Sequence, residues 1–151
     1  MRLNANGSFD TSFSNARGSG TTGPYNSSDF VQTIGLEPDG HIVVGGTFST
    51  FSGIASPGLI RLAVDGTPDP AGFQCPGFVG VVVPSVSGTL IAGNFRRLLG
   101  QRRWSIARLL KDQSLDSTFH PLVTSRRAGD VRLIARQPDD KLIVSGIIED
   151  G

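Results

Sequence analysis

A chain of 151 residues with a net charge of +1 is long enough for one ordinary domain, which at this size buries roughly 70% of its unfolded surface. Twenty glycines, nine prolines and only 18% charged residues exclude long helices and point to many short elements joined by turns. No apolar run is long enough to span a bilayer, Met1 is followed at once by polar turn sequence rather than a signal peptide, and the single cysteine, Cys75, excludes an intrachain disulfide.

The chain opens on RLNANGSFDTSF (Arg2–Phe13), a short strand running into an Asn-Gly turn. The stretch from Ser14 to Phe30, rich in Gly, Ser and Thr, reads as an exposed connector. VQTIGL then begins a strand over 31–37, Pro38-Asp39-Gly40 turns the chain, and HIVVGGTF gives a second strand over 41–48. LIRL marks a third strand over 59–63, followed by RLAVDGTPDPAGF (Arg61–Phe73). The same sequence of features returns with strands expected at 79–83, 88–95 and 104–110, and with RLLKDQSLDSTF (Arg108–Phe119). Strands at 131–137 and 141–148 begin it once more.

Two segments therefore recur. HIVVGGTF, GTLIAGNF and KLIVSGII align on Gly46, Gly93 and Gly146, and the three Arg-Leu blocks align on Arg2, Arg61 and Arg108. The chain divides into the end of one repeat (1–13), two repeats (31–73 and 79–119) and the start of another (131–151), within one array over 1–151. Internal repetition every 47 to 59 residues, with room for four short strands per unit, is the pattern of consecutive four-stranded antiparallel propeller blades. The fold class is all-β. The ring is expected to be incomplete, because four to eight blades usually close one. The end blades should then expose apolar faces, and the chain should be a piece of a longer array or assemble with further copies. The glycines at 46, 93 and 146 should occupy equivalent places, and Val43, Leu90, Ile143, Leu62 and Leu109 should be buried.

The block Pro38–Phe48, the Phe-x-x-Phe-x-Gly link (Phe48–Gly53) and the Arg-Leu blocks resemble the delta-60 repeat family, β-propeller modules of large bacterial proteins. The resemblance implies a secreted or cell-surface setting and no defined catalytic site. The middle copy departs from the pattern. PSVSGTLIAG (Pro84–Gly93) lacks Asp-Gly and has one residue more between its proline and its glycine, which predicts a bulge or an altered turn.

Asp10, Asp69 and Asp116 each follow a repeat arginine by eight residues. Metal binding or acid–base work is one reading, but recurrence in every unit favours a structural role in turns, since a catalytic residue is seldom needed three times. A two-residue turn at Asn6-Gly7 would place Arg2 opposite Thr11 and turn Asp10 to the other face. Each arginine is therefore expected to meet an aspartate of a neighbouring segment. No calcium loop, P-loop or nucleophile elbow occurs, His41 and His120 fall at unrelated repeat positions, and neither metal nor other cofactor is expected.

Charge is uneven. Residues 1–95 carry three basic and six acidic groups, residues 96–136 ten and three, and residues 137–151 one and four. Arg96, Arg97, Arg102, Arg103 and Trp104, with Arg126 and Arg127, form a candidate polyanion patch; the alternative is a solvated loop. A basic amphipathic helix here conflicts with the Gly and Pro of the equivalent stretch Ser49–Leu62. The expected function is a non-enzymatic structural or interaction module whose partners are neighbouring blades, a glycan or another protein, rather than nucleic acid or a membrane. The alternative is a carbohydrate-binding or hydrolytic propeller whose site residues lie mostly outside this chain.

Overall fold

The computed structural model describes residues 1–13, 30–69, 73–121 and 131–146. The expected exposed connector therefore lies outside the described residues, Phe30 excepted, as do the last two residues of the strand expected at 141–148. The described residues form twelve strands and no helix: β1 (Val31–Leu36), β2 (Ile42–Gly46), β3 (Thr50–Phe51), β4 (Ile54–Ala55), β5 (Leu59–Leu62), β6 (Gly77–Ser85), β7 (Gly88–Phe95), β8 (Arg97–Leu98), β9 (Gln101–Arg102), β10 (Ile106–Leu109), β11 (Val131–Arg136) and β12 (Leu142–Gly146). All pairings are antiparallel. The main sheets are β1-β2-β5, β6-β7-β10 and the pair β11-β12, while β3-β4 and β8-β9 are two-strand ribbons outside the strands expected from the sequence. β5 and β10 each end in a single bridge to the segment that follows, Leu62 to Pro68 and Leu109 to Leu115, and Leu3 and Phe9 make the corresponding bridge near the start of the chain.

Turn chemistry sets the hairpins. Between β1 and β2 the Glu37 N–H donates to the His41 carbonyl at 2.8 Å and the Gly40 N–H donates to the Glu37 carbonyl at 2.9 Å. Gly40 closes this three-residue loop at φ +87°, the left-handed position that such loops require at their end. Asp140 does the same work between β11 and β12 at φ +66°. The hairpin between β6 and β7 differs, as the sequence anticipated, but in the opposite sense. Ser85 pairs with Gly88, so its loop has only Val86 and Ser87, and Pro84 lies inside β6 opposite Thr89. Pro84 is thus the counterpart of Leu36, not of Pro38; aligning the prolines hid a shorter turn. β6 is at the edge of its sheet, where a missing N–H breaks no ladder.

The repeat glycines are structurally equivalent. Gly46 pairs with Val31, Gly93 with Val79 and Gly146 with Val131, and in each pair the register slips at the next residue, forming a bulge. A Cβ at Gly46 would lie 2.0 Å from the Phe30 carbonyl oxygen, and one at Gly93 would lie 2.2 Å from that of Phe78. The glycine is there because the bulged strand crosses it at backbone distance.

Successive sheets stack face to face. Gly35, Val43 and Gly45 of the first sheet look toward the second, and a Cβ at Gly35 or Gly45 would meet Val82, Pro84 or Val79 at 2.6 Å. Small residues on one face accept bulky ones from the next. Ala92 repeats the role of Gly45 beneath Val131 of the third sheet, with Ile106 beside it. The largest cluster, between the first two sheets, includes Leu59, Phe73, Cys75, Val79, Ile91, Phe95 and Leu98. Each fully buried aliphatic or aromatic side chain there contributes about 1.5–3 kcal/mol relative to exposure.

Val43, Leu62, Leu90 and Leu109 are buried, as expected, at no more than 6% exposure. Ile143 is not; it is 57% exposed. Its face of β11-β12, shared with Leu133, has no sheet packed on it among the described residues. At the other end, Ile34 and Leu36 are 67% and 68% exposed on the outer face of the first sheet.

Candidate functional site

The recurring arginines and aspartates are candidates for chemistry, and Arg2–Asp10 and Arg108–Asp116 close within their own unit. The bridge from Leu3 to Phe9 places Arg2 opposite Asp10, and that from Leu109 to Leu115 places Arg108 opposite Asp116. Arg2 Nε donates to Asp10 Oδ2 at 2.7 Å, and Arg108 Nε donates to Asp116 Oδ2 at 2.6 Å. The expectation that each arginine meets an aspartate of another segment is overturned for these two. The turn is a three-residue loop closed by Gly7, not a two-residue Asn-Gly turn, so the register moves by one and the side chains share a face. Gly66 and Gln113 hold the corresponding left-handed position in the other units, at φ +85° and +67°.

These aspartates are braces. The Asp10 carboxylate accepts from the Ser12 hydroxyl and N–H as well as from Arg2, and these bonds, the Ser12 hydroxyl foremost, lower its pKa to about 2. Thr118 acts likewise on Asp116, ahead of Arg108, and lowers it to about 2. Each arginine also lies over an aromatic ring, Arg2 at 4.7 Å from the Phe13 centroid and Arg108 at 5.0 Å from that of Phe119. A carboxylate so strongly held in its ionised form is a poor proton carrier near neutral pH.

Arg61 behaves differently. It is only 8% exposed, and its Nε donates to Glu37 Oε2 at 2.7 Å while an Nη donates to Asp39 Oδ2 at 3.0 Å. Glu37 Oε1 accepts from the Thr89 hydroxyl at 2.7 Å, which links the first sheet to the second. Asp69, at the repeat position of Asp10 and Asp116, accepts from Gln113 of the following unit at 3.3 Å. Neither Glu37 nor Thr89 was singled out in the sequence. Glu37 could have been, because its counterparts are Ser85 and Gln137, so it is an acid unique to one copy. Glu37, Pro38, Asp39, Arg61, Ser85 and Lys111 are among the residues lining a shallow crevice of about 90 Å³. That is far below the roughly 300–1,000 Å³ of small-molecule pockets and suits a few waters. Its carboxylates are already committed to Arg61 and Thr89.

The candidate polyanion patch is the β8–β9 ribbon and its flanks. Arg96, Arg97 and Arg102 are exposed and Arg103 is half-buried. Arg97 stands directly across from Arg102, and the Arg96 guanidinium lies 5.8 Å from the Trp104 ring centroid. Trp104 is 36% exposed. Arg126 and Arg127 lie outside the described residues. Cys75 is fully buried, and desolvation raises its thiol pKa to about 12, which removes the nucleophilic thiolate. Among the described residues no group of three His, Cys, Asp or Glu side chains could hold a metal ion, and no helix is long and apolar enough to cross a membrane.

A family model described as "Domain of unknown function (DUF5122) beta-propeller" matches residues 1–13, 37–71 and 88–119, just over half of the chain. No curated protein and no solved structure matches it.

Proposed function

The chain belongs to this β-propeller family, and from that premise we propose that it is a non-enzymatic structural or interaction module of a larger secreted or surface bacterial protein, built from delta-60-type repeats. The observation that supports this most is the use of the repeated residues. Gly46, Gly93 and Gly146 form the bulges, and the Arg2–Asp10 and Arg108–Asp116 pairs brace the loops. In this reading each sheet is a blade, and the single-bridge segments stand where fourth strands run in four-stranded blades.

The end faces are the module's contacts with neighbouring blades. The face carrying Leu133 and Ile143 is the same face, by register, on which Gly35, Val43 and Gly45 receive the next sheet. The face carrying Ile34 and Leu36 corresponds to that on which Val82 and Pro84 are inserted. The two are complementary head to tail, so a further sheet from the same parent or from another copy fits either one.

Light scattering on a sizing column tests this. The chain is expected to run well above its 15.9 kDa monomer mass. Leu133→Lys with Ile143→Lys should return it to monomer. A monodisperse monomer for the unaltered chain would refute the role of the end faces.

A further inference from the structure

The chain contains two ribbons with one backbone and opposite chemistry. β3 and β4 join through Ser52 and Gly53 at φ 49° and 81°, and β8 and β9 join through Leu99 and Gly100 at 49° and 75°. Phe51 pairs with Ile54 in the first as Leu98 pairs with Gln101 in the second. Just outside the ribbons, the Ser56 N–H donates to the Ser49 carbonyl at 3.1 Å, and the Arg103 N–H to the Arg96 carbonyl at 3.2 Å. The four flanking positions are Ser49, Thr50, Ala55 and Ser56 in one ribbon and Arg96, Arg97, Arg102 and Arg103 in the other. The first ribbon forms with no charge at these places. The arginines are therefore not there to make the ribbon.

Their arrangement works against local stability. Arg97 opposes Arg102 and Arg96 opposes Arg103, and like charges directly across a ladder repel. Among the described residues, no carboxylate forms an ion pair with any of the four. Among the described residues, Arg97 reaches only the Gly100 carbonyl and Arg103 only that of Arg102, and the buried Arg103 Nε has no acceptor. The platform beneath is firm, since Leu98 is fully buried and the Leu99 N–H donates to the Gln74 carbonyl at 2.7 Å. Two arginine pairs without acids among the described residues, Arg97 with Arg102 on one face of a fixed ribbon and Arg96 with Arg103 on the other, offer guanidinium groups to repeated anionic groups along its edge.

We propose that the β8–β9 ribbon binds an acidic polysaccharide, with Arg96, Arg97, Arg102 and Arg103 pairing with its sulfate or carboxylate groups. This deepens the interaction-module reading and rests on it. A glycan fits better than a single-stranded nucleic acid, because Arg96 already lies over the Trp104 ring that a base would stack on.

The test titrates the whole chain with a heparin oligosaccharide by calorimetry at about 50 mM and about 300 mM salt, beside neutral dextran and a single-stranded oligonucleotide of matched charge. Arg97→Thr with Arg102→Ala installs the residues of the first ribbon, so the fold should survive, as a thermal melt would verify. Lys111→Ser with Lys141→Ser removes the same charge elsewhere. Heparin is expected to bind at low salt and weaken at high salt. The ribbon variant should lose at least about tenfold in affinity, and the lysine variant much less. Absent heparin binding, equal losses in both variants, or tighter binding of the oligonucleotide would each overturn the assignment. If heparin fails while the end-face variants still dissociate the chain, the glycan reading falls and the module reading stands.

Discussion

Replacing Gly93 with alanine tests why the repeat glycine is there. The new Cβ would sit 2.2 Å from the Phe78 carbonyl oxygen and 2.9 Å from the Gly80 nitrogen, both backbone atoms that no side-chain rotation can move. Restoring an ordinary contact requires β6 to withdraw from β7 by about 1 Å at the bulge. That movement costs one or two ladder hydrogen bonds, at about 1 kcal/mol each, plus overpacking strain of about 1–3 kcal/mol. The expected loss is about 3 kcal/mol. With a urea dependence of about 2 kcal/mol per molar for a chain of this size, the unfolding midpoint should fall by about 1.5 M with an unchanged slope. Gly100→Ala is the contrast. Nothing lies within 4 Å of its Cβ, but its φ is +75°, so conformational strain of about 1 kcal/mol is all that is expected. If Gly93→Ala costs less than Gly100→Ala, backbone approach is not what places the glycine, and the explanation of the repeat fails.

Stability should also depend on acid. Asp10 and Asp116 have pKa values lowered from 3.8 to about 2, so the stability they contribute is present above 3.8 and drains as pH falls toward about 2. Urea melts across that window should show the decline, and Asp116→Asn should reduce it while the part due to Asp10 remains. Glu37→Ala strands the buried Arg61 guanidinium and should cost about 3 kcal/mol in chemical denaturation. Asp39→Ala, at a carboxylate 57% exposed, should cost less than about 1 kcal/mol, and equal losses would refute the assignment of Glu37 as the main partner. Cys75 should resist a thiol reagent at about pH 8 in the folded chain and react promptly in denaturant; rapid reaction without denaturant would contradict its burial.

Most of the strands were legible because β-branched runs sit between turn residues, and the eight expected positions all carry strands. Register was harder to read. Asn6-Gly7 and Asp65-Gly66 suggest two-residue turns by composition, yet the observed loops hold three residues and shift every partner by one. A dipeptide reports that a turn occurs, while its length is decided by the strands that must meet. The ribbons β3–β4 and β8–β9 were missed because two-residue strands leave no periodicity to detect. The Glu37–Arg61–Thr89 link joins residues from three separate strand regions, and only the stacking of two sheets brings them together. The arginine cluster was visible as charge. Its opposing cross-strand geometry was not, because that depends on a ribbon the composition did not announce.

The sheets touch in a strict order, each resting on the one before it in the chain. Every hairpin is local, and the interfaces join units adjacent in sequence, as when Val79 enters beside Gly45 and Val131 beside Ala92. For a chain emerging from the ribosome, this means that each of these interfaces can form as soon as the next sheet is made. Assembly can advance by accretion, with each new hairpin covering the apolar face its predecessor left open. A mutation in one interface should then stall the process at that unit while the units already laid down stay folded.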